Sequence, residues 1–370
     1  MSRSLIYLVA GARPNFMKIA PIYRETGKYE QVDCRIVHTG QHYDYEMSQA
    51  FFEDLALPEP DYFLNAGSGS HAAQTARIMT SFEELCQKQS PDLIIVVGDV
   101  NSTLACSIVA KKLMIRVAHV EAGLRSFDMS MPEEINRIVT DSISDYFFVT
   151  EESGEENLIR EGKPRDRIHF VGHVMIDNLF HQLGELESGD GSTRFSTYPL
   201  KEKHPEYAFL TMHRPANVDS KESFAEIAEA LNIIAQDRPI LFPVHPRTHK
   251  MIREHGIELC ENIVQLPPLP FSESLFLWKD AAVVLTDSGG LQEETTALKV
   301  RCLTLRENTE RPITVRIGSN VLGGTKKESI LSAYRKCMQA DPGSFSVPLK
   351  WDGKAASRIL DILVSSAGKI

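Results

Sequence analysis

The sequence has few cysteines and no motif among them: Cys34, Cys86, Cys106, Cys260, Cys302 and Cys337 include no C-x-x-C pair. Most sit in apolar runs, which fits buried free thiols in a reducing compartment and argues against a disulfide framework. Positive charge is also scarce. The formal net charge is −10, and no basic cluster is longer than Lys111-Lys112 or Lys326-Lys327. That excludes the concentrated stripe needed to wrap a nucleic acid, so an anionic ligand has to be held by a few placed cations. No stretch reaches the ~18 consecutive apolar residues of a membrane span. The N-terminal MSRSLIYLVAGARPNF runs into a Gly-Ala-Arg-Pro turn without a signal-peptide cleavage pattern. A cytoplasmic chain with no membrane partner is expected. There is no Walker A loop, and the single G-x-G-x-x-A match, Gly67 to Ala72, follows no convincing strand. NAD is not supported, and no cofactor is expected. His245 and His249 have i,i+4 spacing, but no acidic residue lies between them and no third ligand is evident, so no metal site is expected.

What is present is a repeated alternation. Over 370 residues, 42% of them hydrophobic, short apolar runs alternate with longer segments of helical period. LIYLVA (5–10), CRIVHTG (34–40), DLIIVVGD (92–99), VAHVEA (117–122), YFFVT (146–150) and IHFVGH (168–173) read as strands that are apolar on both faces. Strands of that kind separated by helices indicate a parallel sheet covered on both sides. After the polar stretch 185–207 the pattern restarts with AFLTMH, PILFPVH, NIVQLPPL, AAVVLTDSGG and RCLTLREN. The expected fold class is α/β, with two doubly wound, Rossmann-like domains. The expected domains are residues 1–172, joined by a C-terminal helix at 355–370, and residues 173–354.

In such sheets ligands bind beyond the carboxyl ends of the strands. The first strand runs into GARPNFMK, with Arg13 and Lys18 near the amino end of the following helix, a plausible phosphate contact or simply two surface cations. VVGDVNSTLA brings Asp99 to a strand tip, as site carboxylate or as helix cap, with Asn101 and Ser102 also available as caps. VAHVEAGLR brings Glu121 to the next strand end. Ser130 and Glu133 match an S-x-x-E capping box with Pro132 in the first turn, which gives Glu133 a structural alternative. Glu133 shares a helix face with Asn136 and Arg137, and Glu134 faces elsewhere. In the second half LTMHRPANVD places His213 and Arg214 at a strand end. LTDSGGLQEE opens a helix with Ser288, Gly289 and Gly290, whose backbone amides can approach phosphate oxygens, and Glu294 lies where it could accept sugar hydroxyls.

At these residues the chain closely resembles the non-hydrolysing UDP-N-acetylglucosamine 2-epimerases. The matching stretches are GARPNFMKIAPI, GQHYDYEMSQAFFEDL, VGDVNSTLA, HVEAGLRSFDMSMPEEINR, HRPANVD, VHPRT, LTDSGGLQEE and LRENTERPITV, in the family's order from residue 8 to about 320. The resemblance implies the glycosyltransferase-B architecture, two Rossmann-like domains facing a cleft, in a homodimer. It implies reversible interconversion of UDP-GlcNAc and UDP-ManNAc without NAD, by elimination of UDP to 2-acetamidoglucal and re-addition on the other face. It also implies that Asp99, Glu121 and Glu133 are catalytic carboxylates, without dividing acid from base among them, and that His213 lies beside the diphosphate. Arg13 and Lys18 match cations of the first domain, Ser288, Gly289 and Gly290 the phosphate turn, Glu294 the ribose contact and Arg311 a cleft arginine. The usual GTRPE reads GARPN here, so Asn15 is expected to cost a carboxylate near the cleft. A hydrolysing epimerase, an epimerase of a UDP-diacetamido sugar and a glycosyltransferase of the same architecture are the rival readings.

Overall fold

The central apolar runs of the first half form strands whose alternate side chains enter two different cores. In β1 (Ser4–Ala10), Ile6, Leu8 and Ala10 join one core, while Tyr7 and Val9 join another on the opposite face. β4 (Leu93–Val97) is buried along its whole length. A fully buried aliphatic side chain contributes about 1.5–3 kcal/mol, so a sheet covered on both faces supplies most of the hydrophobic stabilisation of its unit. The computed structural model describes residues 3–40, 52, 55–188, 193 and 195–365. Most of the GQHYDYEMSQAFFEDL stretch lies outside these residues.

The first sheet also contains β2 (Val32–His38), β3 (Tyr62–Phe63), β5 (Arg116–Val120), β6 (Tyr146–Val149) and β7 (Ile168–Phe170). Its order is β3-β2-β1-β4-β5-β6-β7, and all of its pairings are parallel. The second sheet has β8 (Ala208–Thr211), β9 (Ile240–Pro243), β10 (Ile263–Leu266), β11 (Val283–Thr286), β12 (Cys302–Thr304) and β13 (Asn320–Leu322) in the order β10-β9-β8-β11-β12-β13. Both sheets follow the doubly wound order 3-2-1-4-5-6. The topological switch, where ligands bind in such sheets, lies beside β1 and β4 in one and beside β8 and β11 in the other. The expected fold class is what the chain adopts.

The chain divides into residues 1–180 with 349–370, and residues 181–348. The expected domains meet at 172/173 and 354/355; the division at 180/181 falls inside the helix Val174–Glu187. Asp177 accepts the amides of Ala355 (3.0 Å) and Ala356 (2.7 Å) and so caps the last helix, Ala355–Ser365. That helix buries Ile359, Leu360 and Leu363 in the core that also holds Ile6 and Leu8. Among the described residues no helix is long and apolar enough to cross a membrane.

Candidate active site

At the carboxyl end of β1 the chain must pass very close to two neighbours. Gly11 is needed for that approach, since a Cβ there would lie 2.0 Å from Ser102 Oγ and 2.8 Å from Thr39 Oγ1. Those two hydroxyls are hydrogen-bonded to each other at 2.7 Å. Asn15, only 2% exposed, closes the turn: its Oδ1 accepts the amides of Gly11 (3.2 Å) and Ala12 (3.0 Å), and its Nδ2 donates to Val97 O (3.3 Å). Asn15 thus has a structural task at the position where the usual pattern has a carboxylate. A carboxylate could accept the two amides but could not donate to Val97, so Asn15 ties β1 to β4. Arg13 is exposed in the first turn of the helix Arg13–Thr26, and Lys18, one turn further on, pairs with Glu121 at 2.5 Å.

Glu121 directly follows β5 and is 6% exposed, with φ at +69°. A left-handed backbone at a non-glycine residue costs of order 1–3 kcal/mol and persists only where surrounding contacts hold it. Gly98, at φ +66° after β4, lies so close to Lys18 that a Cβ would come within 2.8 Å of its Nζ. Asp99 then meets Arg137 at 2.5 Å, while Asn136 donates to the Asp99 carbonyl at 2.8 Å. The helix Asn101–Lys112 has no side-chain cap. Ser102 is committed to Thr39, and Asn101 donates to Gln74 at 2.8 Å.

The capping box expected at Ser130 and Glu133 does not form. Met131 is the N-cap of the helix Pro132–Ile143, and Ser130 instead bonds Asp128, through its amide at 2.9 Å and its hydroxyl at 2.6 Å. Glu134 is the residue that fixes this loop: it is buried and accepts the amides of Ser126 (2.9 Å) and Phe127 (3.0 Å) and the Arg137 guanidinium (3.0 Å). Burial would raise its carboxyl, but those amides and Arg137 hold it below the usual range. Glu133 is half-exposed in the first turn. Asn136 and Arg137, one turn on, bring its helix to Asp99.

A buried charged group behind these turns was not singled out from sequence. His119 Nδ1 lies 2.7 Å from Asp141, and Arg125 reaches the same carboxylate at 2.8 Å. Burial would raise Asp141, but His119 and Arg125 hold it below the ordinary range. The available signal was a histidine in the middle of an apolar strand, since a buried polar side chain has to find partners.

In the second unit, Asp287 is fully buried after β11. Its carboxylate accepts the amides of His213 (3.0 Å) and Arg214 (2.8 Å) and the Asn217 side chain (3.2 Å). The His213 ring, 44% exposed, has its Nδ1 3.3 Å from the same carboxylate. Ser288 is the N-cap of the helix Gly289–Ala297, with its hydroxyl uncommitted to the cap. A Cβ added at Gly289 or Gly290 would meet nothing within 4 Å. Neither packing nor positive φ therefore requires these glycines, and their effect is to leave the helix amino end open to a ligand's oxygens. Arg311 pairs with Glu293 at 2.5 Å. His245 caps its own helix by accepting the Arg247 amide at 3.2 Å. A cavity of about 490 Å³ at the ends of β9 and β10 is lined by Val244, Pro246, His249, Gln265, Leu266, Pro267 and Pro268.

A family model described as UDP-N-acetylglucosamine 2-epimerase matches residues 24–364. The chain belongs to this family. A UDP-N-acetylglucosamine 2-epimerase of Methanocaldococcus jannaschii is 42% identical over 96% of this chain and 98% of its own. The crystal structure of the M. jannaschii UDP-GlcNAc 2-epimerase in complex with UDP-GlcNAc and UDP superposes with a TM-score of 0.83 at 40% identity, covering 98% of this chain and 99% of that one. The UDP-2,3-diacetamido-2,3-dideoxy-D-glucuronate 2-epimerase of Pseudomonas aeruginosa is 37% identical over 97% of this chain and 99% of its own.

One residue of this 2-epimerase chain carries a pH signature. Burial, and after it the charge of Glu293, push the Glu294 carboxyl up to about 8. In the unfolded chain the group titrates near 4.5. Its contribution to stability is therefore complete below that value and is lost as pH rises through about 8. Glu294→Gln should flatten this slope: the fall in Tm between about pH 5 and pH 8.5 should be smaller in the variant. Parallel Tm profiles for the two proteins would remove Glu294 as the source.

Proposed function

We propose that the protein interconverts UDP-GlcNAc and UDP-ManNAc without NAD. The observation that carries this reading is the clustering of Asp99, Glu121 and the Glu133 helix at the carboxyl edge of one doubly wound sheet, in a member of the 2-epimerase family. The C2 hydrogen of the sugar has no adjacent carbonyl, so simple deprotonation is too costly. In the elimination the C2 proton passes to a carboxylate and the C–H electrons form the C1=C2 bond. The anomeric C–O electrons leave with UDP. Re-addition reverses each change, with the proton delivered to the opposite face. Positioned carboxylates supply general acid–base catalysis worth ~10²–10⁴-fold.

The reading assigns the diphosphate to the Ser288-Gly289-Gly290 turn with His213 beside it, and the ribose to Glu294. The cavity at the ends of β9 and β10, with Gln265 and His249 as the polar side chains of its lining, suits a flat base. Arg311 is assigned to the nucleotide's anionic groups, and Arg13 and Lys18 are the cations beside the carboxylates of the first unit, Lys18 paired with Glu121. The reading extends to a homodimeric, cytoplasmic enzyme that supplies surface-polysaccharide synthesis.

Incubation with UDP-GlcNAc in D2O, followed by NMR, tests the proposal. The expected result is UDP-ManNAc carrying deuterium at C2, with deuterium also entering recovered UDP-GlcNAc. Free ManNAc would assign the hydrolysing class. The 37% identity to the Pseudomonas enzyme favours one second reading, a diacetamido uronate substrate. Exchange with that sugar nucleotide and none with UDP-GlcNAc would establish it in place of the first.

A further inference from the structure

His119 lies inside β5 with no exposed surface. Its Nδ1 is 2.7 Å from Asp141 Oδ1, and its Nε2 is 2.9 Å from the carbonyl oxygen of Gly98. The Gly98 carbonyl can only accept, and Asp141, which burial would raise but His119 and Arg125 hold below the ordinary range, accepts as a carboxylate. Either neutral tautomer would set a ring lone pair against an oxygen in a dry site, so both nitrogens carry hydrogen and the ring is an imidazolium. Asp141 Oδ2 accepts the Gly123 amide at 3.0 Å and the Arg125 guanidinium at 2.8 Å. Arg125 continues to Glu161 through Nε (2.8 Å) and a second nitrogen (2.7 Å). Glu161, with its side chain 35% exposed, ends the chain at the surface, so its buried members are His119, Asp141 and Arg125.

This chain of charges grips two particular turns. Gly98 immediately precedes Asp99, and Gly123 follows Glu121 by two residues; both glycines are left-handed, at φ +66° and +79°. Glu121 is left-handed as well, in a conformation that depends on its surroundings. Its own amide and that of Ala122 both donate to Phe148 O, at 3.0 and 3.2 Å, so the turn is held from β6 on one side and through Gly123 on the other. His119 therefore holds the Asp99 turn and Asp141 the Glu121 turn, and their mutual bond fixes one against the other.

We propose that the His119–Asp141 ion pair is a positioning device for the C2 chemistry, locking the turns that carry Asp99 and Glu121 into register, and that it works only as imidazolium and carboxylate. The proposal rests on the reading that those two carboxylates act on the sugar.

Two measurements on the full-length enzyme test it. In the unsubstituted protein labelled with ¹⁵N-histidine, one ring should show hydrogen on both nitrogens. Both of its N–H protons should exchange slowly with water, which the exposed His213 ring would not show. Absence of such a ring overturns the proposal. In His119→Gln, kcat for C2 exchange should fall ~10–100-fold while KM for UDP-GlcNAc and Kd for UDP stay within ~3-fold, as displacement of catalytic groups by a fraction of an ångström predicts. Asp141→Asn should do the same, and the double variant should be no worse than either single one, because the pair acts as a unit. A wild-type kcat in His119→Gln, or a loss shared equally by UDP binding, overturns the proposal. Glu121→Gln run alongside separates the two claims. If Glu121→Gln is inactive while His119→Gln is wild type, only the positioning role fails; if Glu121→Gln turns over normally, the assignment of the reaction to these carboxylates fails. Should the substituted proteins not fold, the ¹⁵N measurement decides alone.

Discussion

Glu121→Gln is expected to slow deuterium exchange at C2 of UDP-GlcNAc by ~10²–10⁴-fold, the usual range for loss of a general acid or base. UDP should bind within ~3-fold of wild type, because the substitution removes a proton carrier and leaves the fold's contacts nearly unchanged. Glutamine has the same shape, and its amide oxygen can still accept from Lys18, which approaches Glu121 at 2.5 Å. Lys18 keeps 15% of its side-chain exposure, so loss of the opposing charge does not strand a fully buried ammonium. The bonds from the amides of residues 121 and 122 to Phe148 O belong to the backbone and survive the change. The turn at Ser288, to which the diphosphate is assigned, lies in the other unit and is untouched. Exchange followed by NMR and UDP titration by calorimetry separate the two effects. Unchanged exchange would remove Glu121 from the mechanism, and an equal loss of UDP affinity would make its role one of binding.

The elements legible in the sequence were those with enough length to show their period. Runs such as LIIVV, buried on both faces in β4, announce a parallel sheet because nothing in them needs solvent. The strands that periodicity did not reveal are β3 and β13, of 2 and 3 residues, both at sheet edges. Strand ends were legible in the same way, so Asp99, Glu121, His213 and Ser288 fall where an α/β sheet puts its chemistry. Partner choice was not legible. Ser130 and Glu133 have the spacing of a capping box, yet Asp128 takes Ser130 and the N-cap falls one residue later, at Met131. Which of two adjacent glutamates is buried depends on the incoming loop, whose Ser126 and Phe127 amides need an acceptor and find Glu134. Asn15 shows the same limit: read against a pattern it is a missing carboxylate, and only the Val97 carbonyl 3.3 Å away explains why a donor is needed there.

The second large effect concerns Asp287, which the sequence marked only as part of a phosphate turn. Its carboxylate has no exposed surface and gathers the amides of His213 and Arg214, the Asn217 side chain and the His213 ring. Asp287→Ala takes the acceptor away from all of them. Asn217 retains Leu305 O at 3.0 Å, but the two backbone amides at the end of β8 have no replacement on the same side. Each buried donor left unsatisfied costs about 1–3 kcal/mol, so a loss of roughly 3–5 kcal/mol is expected in the second unit. UDP affinity should fall ~10–100-fold, about 1.4–2.8 kcal/mol, because the turn presenting His213 is no longer fixed. His213→Ala is the contrast: its ring is 44% exposed, so it should weaken UDP binding and turnover with a change in stability of at most ~0.5 kcal/mol. Calorimetric unfolding and UDP titration on both variants decide the matter. An unaltered Tm in Asp287→Ala would show that its hydrogen bonds do not hold the turn, and UDP affinity equal to wild type in the same protein would detach that turn from the nucleotide.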